Sequence, residues 1–463
     1  MKIPKVGAYF ASNVIQAGLQ FLLVPLLVRA LGPAEYGRWG LLEPIIAMLA
    51  MVAQLGTNWG ILKLVNQDGI AASVALRTLV ARIWWFACLV AVAAGSVVWL
   101  SYRDILATVG LPLVVLAEAS LGIVLAAARS ENRATAYATG VIVKFGCVTL
   151  LVALGVLAKL PIVKSASELL MWWAAAVSLS AASSGILLLR SGPAFTSDCI
   201  QSGTMGGAMR YGLPLLAAAL LAAVLNSVDR FVVERFVAPE VLGTYVVALK
   251  VAGAMSFIMT PVALWWPTAR FEHLRDSDHG QAFFAGAAEK MALIYGSAGA
   301  LLWAGSELLM HWFAPQIIYS SPVLACLCIA LVFRGMEAPL NIGLLKEGQT
   351  HWSIVAVGVG AASQLALCFL TIPKWGVVGA AISTALSSGI STLFVHGMSQ
   401  RLHAVSFRYV RLGCFLMVPW IVALLCNVYE LNFFVSIPSI ALASASFAIL
   451  FGLWPTQYML KAS

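Results

Sequence analysis

Long apolar stretches separated by short polar punctuation run through nearly the whole chain. Residues 83–102, 169–189, 211–228, 251–269 and 312–333 carry no charge, and each is about one bilayer crossing long. A crossing takes about 20 mainly apolar residues, because roughly 30 Å of hydrocarbon is spanned at 1.5 Å per residue with every backbone hydrogen bond closed inside the helix. The alternation that a closed β-barrel needs is absent. Hydropathy and punctuation together predict fourteen spans, at 7–29, 38–62, 79–101, 105–128, 136–158, 168–189, 209–234, 242–269, 288–312, 317–345, 350–372, 376–399, 409–428 and 432–454. The expected fold class is an all-α polytopic membrane protein.

Composition agrees. Of 463 residues, 61% are hydrophobic and 10% charged, against about a quarter charged in a soluble domain. The net charge of +9 does not point to nucleic acid, because the basic residues sit in short segments between spans. With the N-terminus inside, 17 Lys and Arg fall on the cytoplasmic side and 8 outside, while Lys144, Lys250 and Arg334 within spans complete the 28. That bias places both termini in the cytoplasm. The first apolar stretch runs past Pro25 to Arg29 without a small-residue cleavage site, so it reads as a span rather than a signal peptide. Of the eight cysteines only Cys199 falls in a connection, which argues against a disulfide framework, and no Cys or His spacing suggests a metal. No cofactor is expected. The longest connections, near 190–208 and 270–288, leave no room for a soluble catalytic domain. Tryptophans such as Trp84, Trp85, Trp172, Trp173, Trp375 and Trp454 lie near span ends, as an interfacial belt.

The chain repeats internally. Arg29, Pro33 and Gly37 follow span one at the same spacing as Arg235, Pro239 and Gly243 after span seven, an offset of 206; Ser183-Ser184-Gly185-Ile186 recurs as Ser387-Ser388-Gly389-Ile390 at an offset of 204. Two matches at nearly one offset predict a duplicated six-helix lobe, with parallel copies because six is even. The expected domains are an N-terminal lobe at 1–190, a second lobe at 208–400, and two additional spans with a short tail at 408–463.

Three stretches carry a family resemblance: Asn13 with Leu27-Val28-Arg29-Ala30-Leu31-Gly32-Pro33-Ala34-Glu35-Tyr36-Gly37, the span-seven run Asn226-Ser227-Val228-Asp229-Arg230-Phe231, and Gly243-Thr244-Tyr245 leading to Lys250. They resemble the O-antigen type of polysaccharide flippase of the multidrug/oligosaccharidyl-lipid/polysaccharide exporter superfamily. The resemblance implies a two-lobed transporter of the bacterial cytoplasmic membrane. It would move an isoprenoid-diphosphate-linked oligosaccharide outward by alternating access, rocking 1–190 against 208–400. Its implied partners are that lipid, a coupling ion (H+ or Na+), membrane lipids and the polysaccharide polymerase machinery.

An ionised side chain in hydrocarbon costs about 2.5–3.5 kcal/mol on insertion scales, so each one within a span calls for a reason. Glu43, Glu118, Lys144, Asp229, Arg230, Lys250, Arg334 and Glu337 are such residues. Arg334, Glu337 and Asn341 share one face of span ten, beside Pro339, which should bend it. Asn226 and Arg230 stand one turn apart, Asn13 aligns with Gln16 and Gln20, and Glu43 aligns with Gln54 and Asn58. A hydrated cleft would suit all four stripes. If a diphosphate must be held there, Arg230, Arg334, Lys250 and Lys144 supply cationic partners, with Asn13 and Asn226 as polar ones. Asp229, Glu337, Glu43 and Glu118 are the candidates for carrying a coupling ion. The competing structural readings are an interface role for Asp229 and Arg230, an intrahelical ion pair of Arg334 with Glu337, snorkelling by Arg29, and close helix packing along Ser383, Ser387 and Ser391.

The nearest rival function is a gradient-driven multidrug exporter, which would favour an acidic, aromatic-lined cavity; lipid II flipping is a close variant. A membrane glycosyltransferase or polymerase would need a large extramembrane loop, and a scaffold would be indifferent to neutralising the buried charges.

Overall fold

The computed structural model describes residues 3–66, 72–190, 202–274, 280–346 and 351–451. Lys2, Arg275 and Lys461 of the charge count, and Cys199, lie outside them. The helices run in chain order as α1 (Ile3–Gln54), α2 (Thr57–Asn66), α3 (Ala72–Tyr102), α4 (Ile105–Ser130), α5 (Ala134–Leu157), α6 (Ala166–Arg190), α7 (Ser202–Leu225), α8 (Val228–Glu234), α9 (Pro239–Ala252), α10 (Ser256–Leu274), α11 (Gly280–Ala304), α12 (Ser306–Phe313), α13 (Ser321–Leu340), α14 (Ile342–Lys346), α15 (His351–Leu402), α16 (Tyr409–Val428) and α17 (Phe433–Leu450).

Among the described residues, ten helices are long and apolar enough to cross a membrane. Two of them are too long for one crossing. The 52 residues of α15 would extend about 78 Å at 1.5 Å per residue, more than twice a hydrocarbon core. Single glycines break both, Gly32 in α1 at φ 75° and Gly376 in α15 at φ 53°, in a region that side chains disfavour. So α1 contains expected span one and most of span two, and α15 contains spans eleven and twelve. The α11–α12 pair, bent by 54°, accounts for span nine, and α17 for span fourteen.

Five expected spans are not continuous helices. Span two is interrupted at Leu55 and Gly56, span seven at Asn226 and Ser227, span eight by a tight turn at Gly253–Met255, span nine at Gly305 and span ten at Asn341. Hydropathy reads straight through such breaks because their residues are apolar or small. At Gly56 the reason is contact: a Cβ there would lie 2.5 Å from the carbonyl carbon and oxygen of Gly212, so α2 and α7 meet backbone to backbone. Span ten breaks just after Pro339, where a bend was expected.

The chain resolves into two compact units, Met1–Ser227 and Val228–Ser463. The division falls at the break in span seven, and α7 belongs to the first unit. In the first unit, α4 starts at an N-cap, Asp104, whose carboxylate accepts from the N–H of Leu106 (2.9 Å) and Ala107 (3.3 Å) and from the Ser167 hydroxyl (2.5 Å). The Ser167 donation and the two backbone bonds hold Asp104 below the usual carboxylate range, against the opposing effect of burial. The Ala166 N–H beside it donates to Glu35 at 2.9 Å, so one end of α6 is tied to α4 and α1. In the second unit, α16 and α17 dock on α11: Trp303 stacks on Trp420 at 5.5 Å, and the Ser297 hydroxyl donates to Ser444 at 2.8 Å.

Candidate functional site

In the first unit the membrane charges find each other. Lys144 on α5 sits 2.7 Å from one oxygen of Glu118 on α4 and 2.9 Å from the other. The Trp173 indole on α6 donates to the same carboxylate at 3.1 Å. The Lys144 ammonium also lies 5.0 Å from the Phe145 ring centre and 5.7 Å from that of Trp173, within cation–π range. This arrangement neutralises itself and uses an aromatic wall to do so. Lys144 and Glu118, expected to serve substrate and ion separately, act as one unit; sequence spacing could not show this, since the pair bridges two helices.

Asn13 accepts a hydrogen bond from the Tyr137 hydroxyl at 3.1 Å, with the Tyr9 ring 5.3 Å from that of Tyr137 and the Arg129 guanidinium 5.8 Å from it. Glu43 is half-buried in the second half of α1. Its expected stripe is broken by the turn at Leu55 and Gly56. Gln54 is buried against Gly122 of α4, while Asn58 accepts from the Trp59 N–H at 3.0 Å. On α6, Ser180 donates to the Gly140 carbonyl, and Ser184 to that of Ala136 at 2.6 Å.

The second unit is organised around Asp229 on α8, which is 2% exposed. Its Oδ1 accepts from the Arg230 N–H at 2.9 Å, and its Oδ2 from the Tyr245 hydroxyl of α9 at 2.5 Å. The Thr384 hydroxyl of α15 lies 3.5 Å from Oδ2. Behind Thr384, the Gln364 amide donates to it at 3.3 Å and accepts from Ser387 at 3.4 Å, while Ser383 meets the Cys368 sulfur at 3.1 Å. Across α13, the Arg334 guanidinium donates to Ser388 at 3.2 Å. Asp229, Glu337 and Tyr245 lie within its electrostatic reach, and Glu337 bonds Ser391. The stripe of Ser383, Ser387 and Ser391 does join the two halves of α15, as close packing requires, and Thr384 and Ser388 beside it turn toward charge.

Arg230 and Lys250 are half-buried, Lys250 in the last turn of α9. Asn226 differs from its expected place: it stands exposed in the break between α7 and α8, with its amide folded back on the Ala222 carbonyl at 2.7 Å. It therefore shares no continuous helical face with Arg230. Among the described residues no three His, Cys, Asp or Glu side chains converge as a metal cluster.

Sequence reasoning missed Tyr245, Thr384, Gln364, Ser388 and Trp173 as partners of the charges. The 204-residue offset sets Thr384 and Ser388 against Ser180 and Ser184, and that signal was available. Glu289 was missed because span nine was started at 288, whereas α11 begins at Gly280. Glu289 is 3% exposed, and its Oε1 has no hydrogen-bond partner among the described residues.

A chain of this many apolar helices, with partnered charges inside them, is a multi-pass membrane protein. Its fold is similar to that of lipid II flippase MurJ in an inward closed conformation, with a TM-score of 0.65 and 13% identity over 97% of this chain and 99% of that one. It is similar also to an inward-facing multidrug resistance MATE family transporter of the MOP superfamily, at a TM-score of 0.62 and 12% identity over 88% and 98%. The chain belongs to the polysaccharide biosynthesis protein family, which matches residues 4–269. No curated relative matches it by sequence.

Proposed function

We propose that this protein flips an isoprenoid-diphosphate-linked oligosaccharide from the cytoplasmic to the outer leaflet of a bacterial inner membrane, by alternating access. The observation that carries the reading is the contrast in charge placement. In the first unit Lys144 is paired directly with Glu118, while the second unit carries Arg334, bonded to the Ser388 hydroxyl, with Arg230 and Lys250 also in its helices. A diphosphate leaving water needs fixed cations, and a guanidinium can fork two of its oxygens. Asp229, buried and bonded to hydroxyls, is the site proposed for the coupling cation, H+ or Na+, with Glu337 beside Arg334 as the second carboxylate. The first-unit pair is proposed as a structural element that holds α4, α5 and α6 together.

The same reading makes the protein a transporter rather than an enzyme, with both termini in the cytoplasm, two duplicated six-span lobes and the polymerase machinery as its neighbour. Lipid II is the variant substrate, since it carries the same diphosphate. A multidrug exporter is disfavoured because a cationic drug would have to face Arg334.

The test is translocation of a labelled isoprenoid-diphosphate oligosaccharide in proteoliposomes by wild type, Arg230→Ala and Arg334→Ala at matched folded protein. The expected result is transport by wild type and at least a roughly tenfold loss in each variant, the equivalent of one charge-assisted bond. Export of a cationic dye by a wild type that moves no such lipid would replace this reading with the drug exporter.

A further inference from the structure

We infer that Tyr245 is an internal competitor for a metal cation at Asp229, its hydrogen bond to the carboxylate opposing cation binding there; this rests on the reading of Asp229 as the coupling site. Both side chains are sealed from solvent, Asp229 at 2% and Tyr245 at 0% exposure, so water cannot take the place of either partner. Oδ1 is occupied by the Arg230 N–H at 2.9 Å, a backbone donor that cannot rotate away. Oδ2 is the oxygen that can change partners.

Two hydroxyls approach Oδ2, and they are not equivalent. Thr384 is 3.5 Å from Oδ2 but 3.0 Å from the Ala380 carbonyl. A hydroxyl has one proton, and the shorter contact takes it. Gln364 donates to the Thr384 oxygen at 3.3 Å, which further satisfies Thr384 without Asp229. The firm donor to Oδ2 is therefore Tyr245, at 2.5 Å. A hydrogen bond to a charged acceptor is worth roughly a factor of ten or more in an equilibrium.

A cation binds oxygen lone pairs, and although Oδ2 has more than one, the Tyr245 proton already draws on its negative charge, so the phenol opposes the cation there. The bond also joins α8 to α9 across the connection from Glu234 to Pro239. Cation binding at Oδ2 then weakens the tie between α8 and α9, and cation loss restores it. The charged and titratable groups in electrostatic reach of this exchange are Arg230, Arg334 and Cys368 on the first half of α15. The Arg334 cation works against a second positive charge at Asp229, which makes the strength of the Tyr245 bond a setting for affinity rather than a detail of packing.

The experiment is thermal unfolding of the purified full-length protein over a series of NaCl concentrations, with choline chloride holding ionic strength constant. Wild type, Asp229→Asn and Tyr245→Phe are compared. The expected result is Na+-dependent stabilisation of wild type, its loss in Asp229→Asn, and half-saturation of Tyr245→Phe at about tenfold lower Na+. If Tyr245→Phe does not fold, a ring-fluorinated tyrosine at 245, a stronger donor of the same shape, is expected to raise the half-saturating Na+ instead. A Tyr245→Phe protein needing the same or more Na+ overturns the inference, since the phenol would then be packing or a ligand. A wild type indifferent to Na+ overturns it too. The flippase reading falls separately, only if lipid translocation survives Arg230→Ala and Arg334→Ala.

Discussion

Ser180 and Ser184 in the first unit and Thr384 and Ser388 in the second stand 204 positions apart, in the matching stretches of the repeat, and they do different work. The first pair spends its protons on carbonyls of α5, at Gly140 and Ala136. In the second pair, Thr384 gives its proton to the Ala380 carbonyl of its own helix with Asp229 3.5 Å away, and Ser388 accepts from Arg334. Charge follows the same division. The first unit pairs Lys144 with Glu118 directly and walls them with Trp173, whereas in the second the Asp229 carboxylate bonds the Tyr245 hydroxyl and the Arg334 guanidinium the Ser388 hydroxyl. Two stretches matched in sequence can thus use their small polar positions differently, because a hydroxyl serves equally as donor to a carbonyl and as partner to a charge.

The comparison breaks first at the ion pair. Lys144→Met alone should cost about 3–5 kcal/mol, since it leaves a carboxylate in a poorly hydrated place, and Lys144→Met with Glu118→Leu should recover most of that. Thermal unfolding of the two variants in lipid reads it. A double variant as unstable as the single one would mean that the pair is not self-contained. In the second unit, Asp229→Asn should reduce lipid translocation at least roughly tenfold while costing no more than about 2 kcal/mol of stability, as proteoliposome flux and unfolding measured on the same preparation would show.

A smaller effect belongs to the cap that starts α4. Asp104→Asn keeps a competent cap but removes the negative charge at the helix N-terminus, and should lose about 0.3–1 kcal/mol at neutral pH. The carboxyl is held below its usual range by Ser167 and two backbone N–H groups, so its contribution is present above the unfolded carboxylate value and fades as pH falls through the lower folded value. Unfolding scans from neutral to acid pH should show wild type and Asp104→Asn converging at the acid end. The smallest effect separates the hydroxyl pairs themselves. Ser184→Ala should cost about 0.6 kcal/mol, typical of a hydrogen bond between membrane helices, and leave translocation unchanged. Ser388→Ala should instead lower translocation with a similar small change in stability. Equal behaviour of the two would erase the functional difference between the copies.

Glu289 sharpens the point about burial. A carboxylate with an unpartnered oxygen in a helix interior is expensive, so Glu289→Gln should leave stability unchanged or raise it, the reverse of what Lys144→Met does.

Much of the architecture was legible in the chain itself. Each of the fourteen apolar segments matches described helix, and 409–428 matches α16 to the residue, because a bilayer forces length and hydrophobicity on a span wherever it packs. Gly376 as the reversal of α15 and Asn341 as the break in α13 were less visible, since a positive φ or a lost turn leaves hydropathy unchanged. The charged residues of the site were legible one at a time for the same reason, that each is costly in hydrocarbon and so stands out. Their partners were not. Lys144 and Glu118 are 26 residues apart, Asp229 and Thr384 are 155 apart, and a hydroxyl carries no mark of whether it will face a carbonyl or a carboxylate. The sequence by itself determined that charges are buried and how many spans bury them. Which partner each buried charge takes was decided only by the tertiary structure, because pairing depends on distances across helices that no spacing along one helix contains.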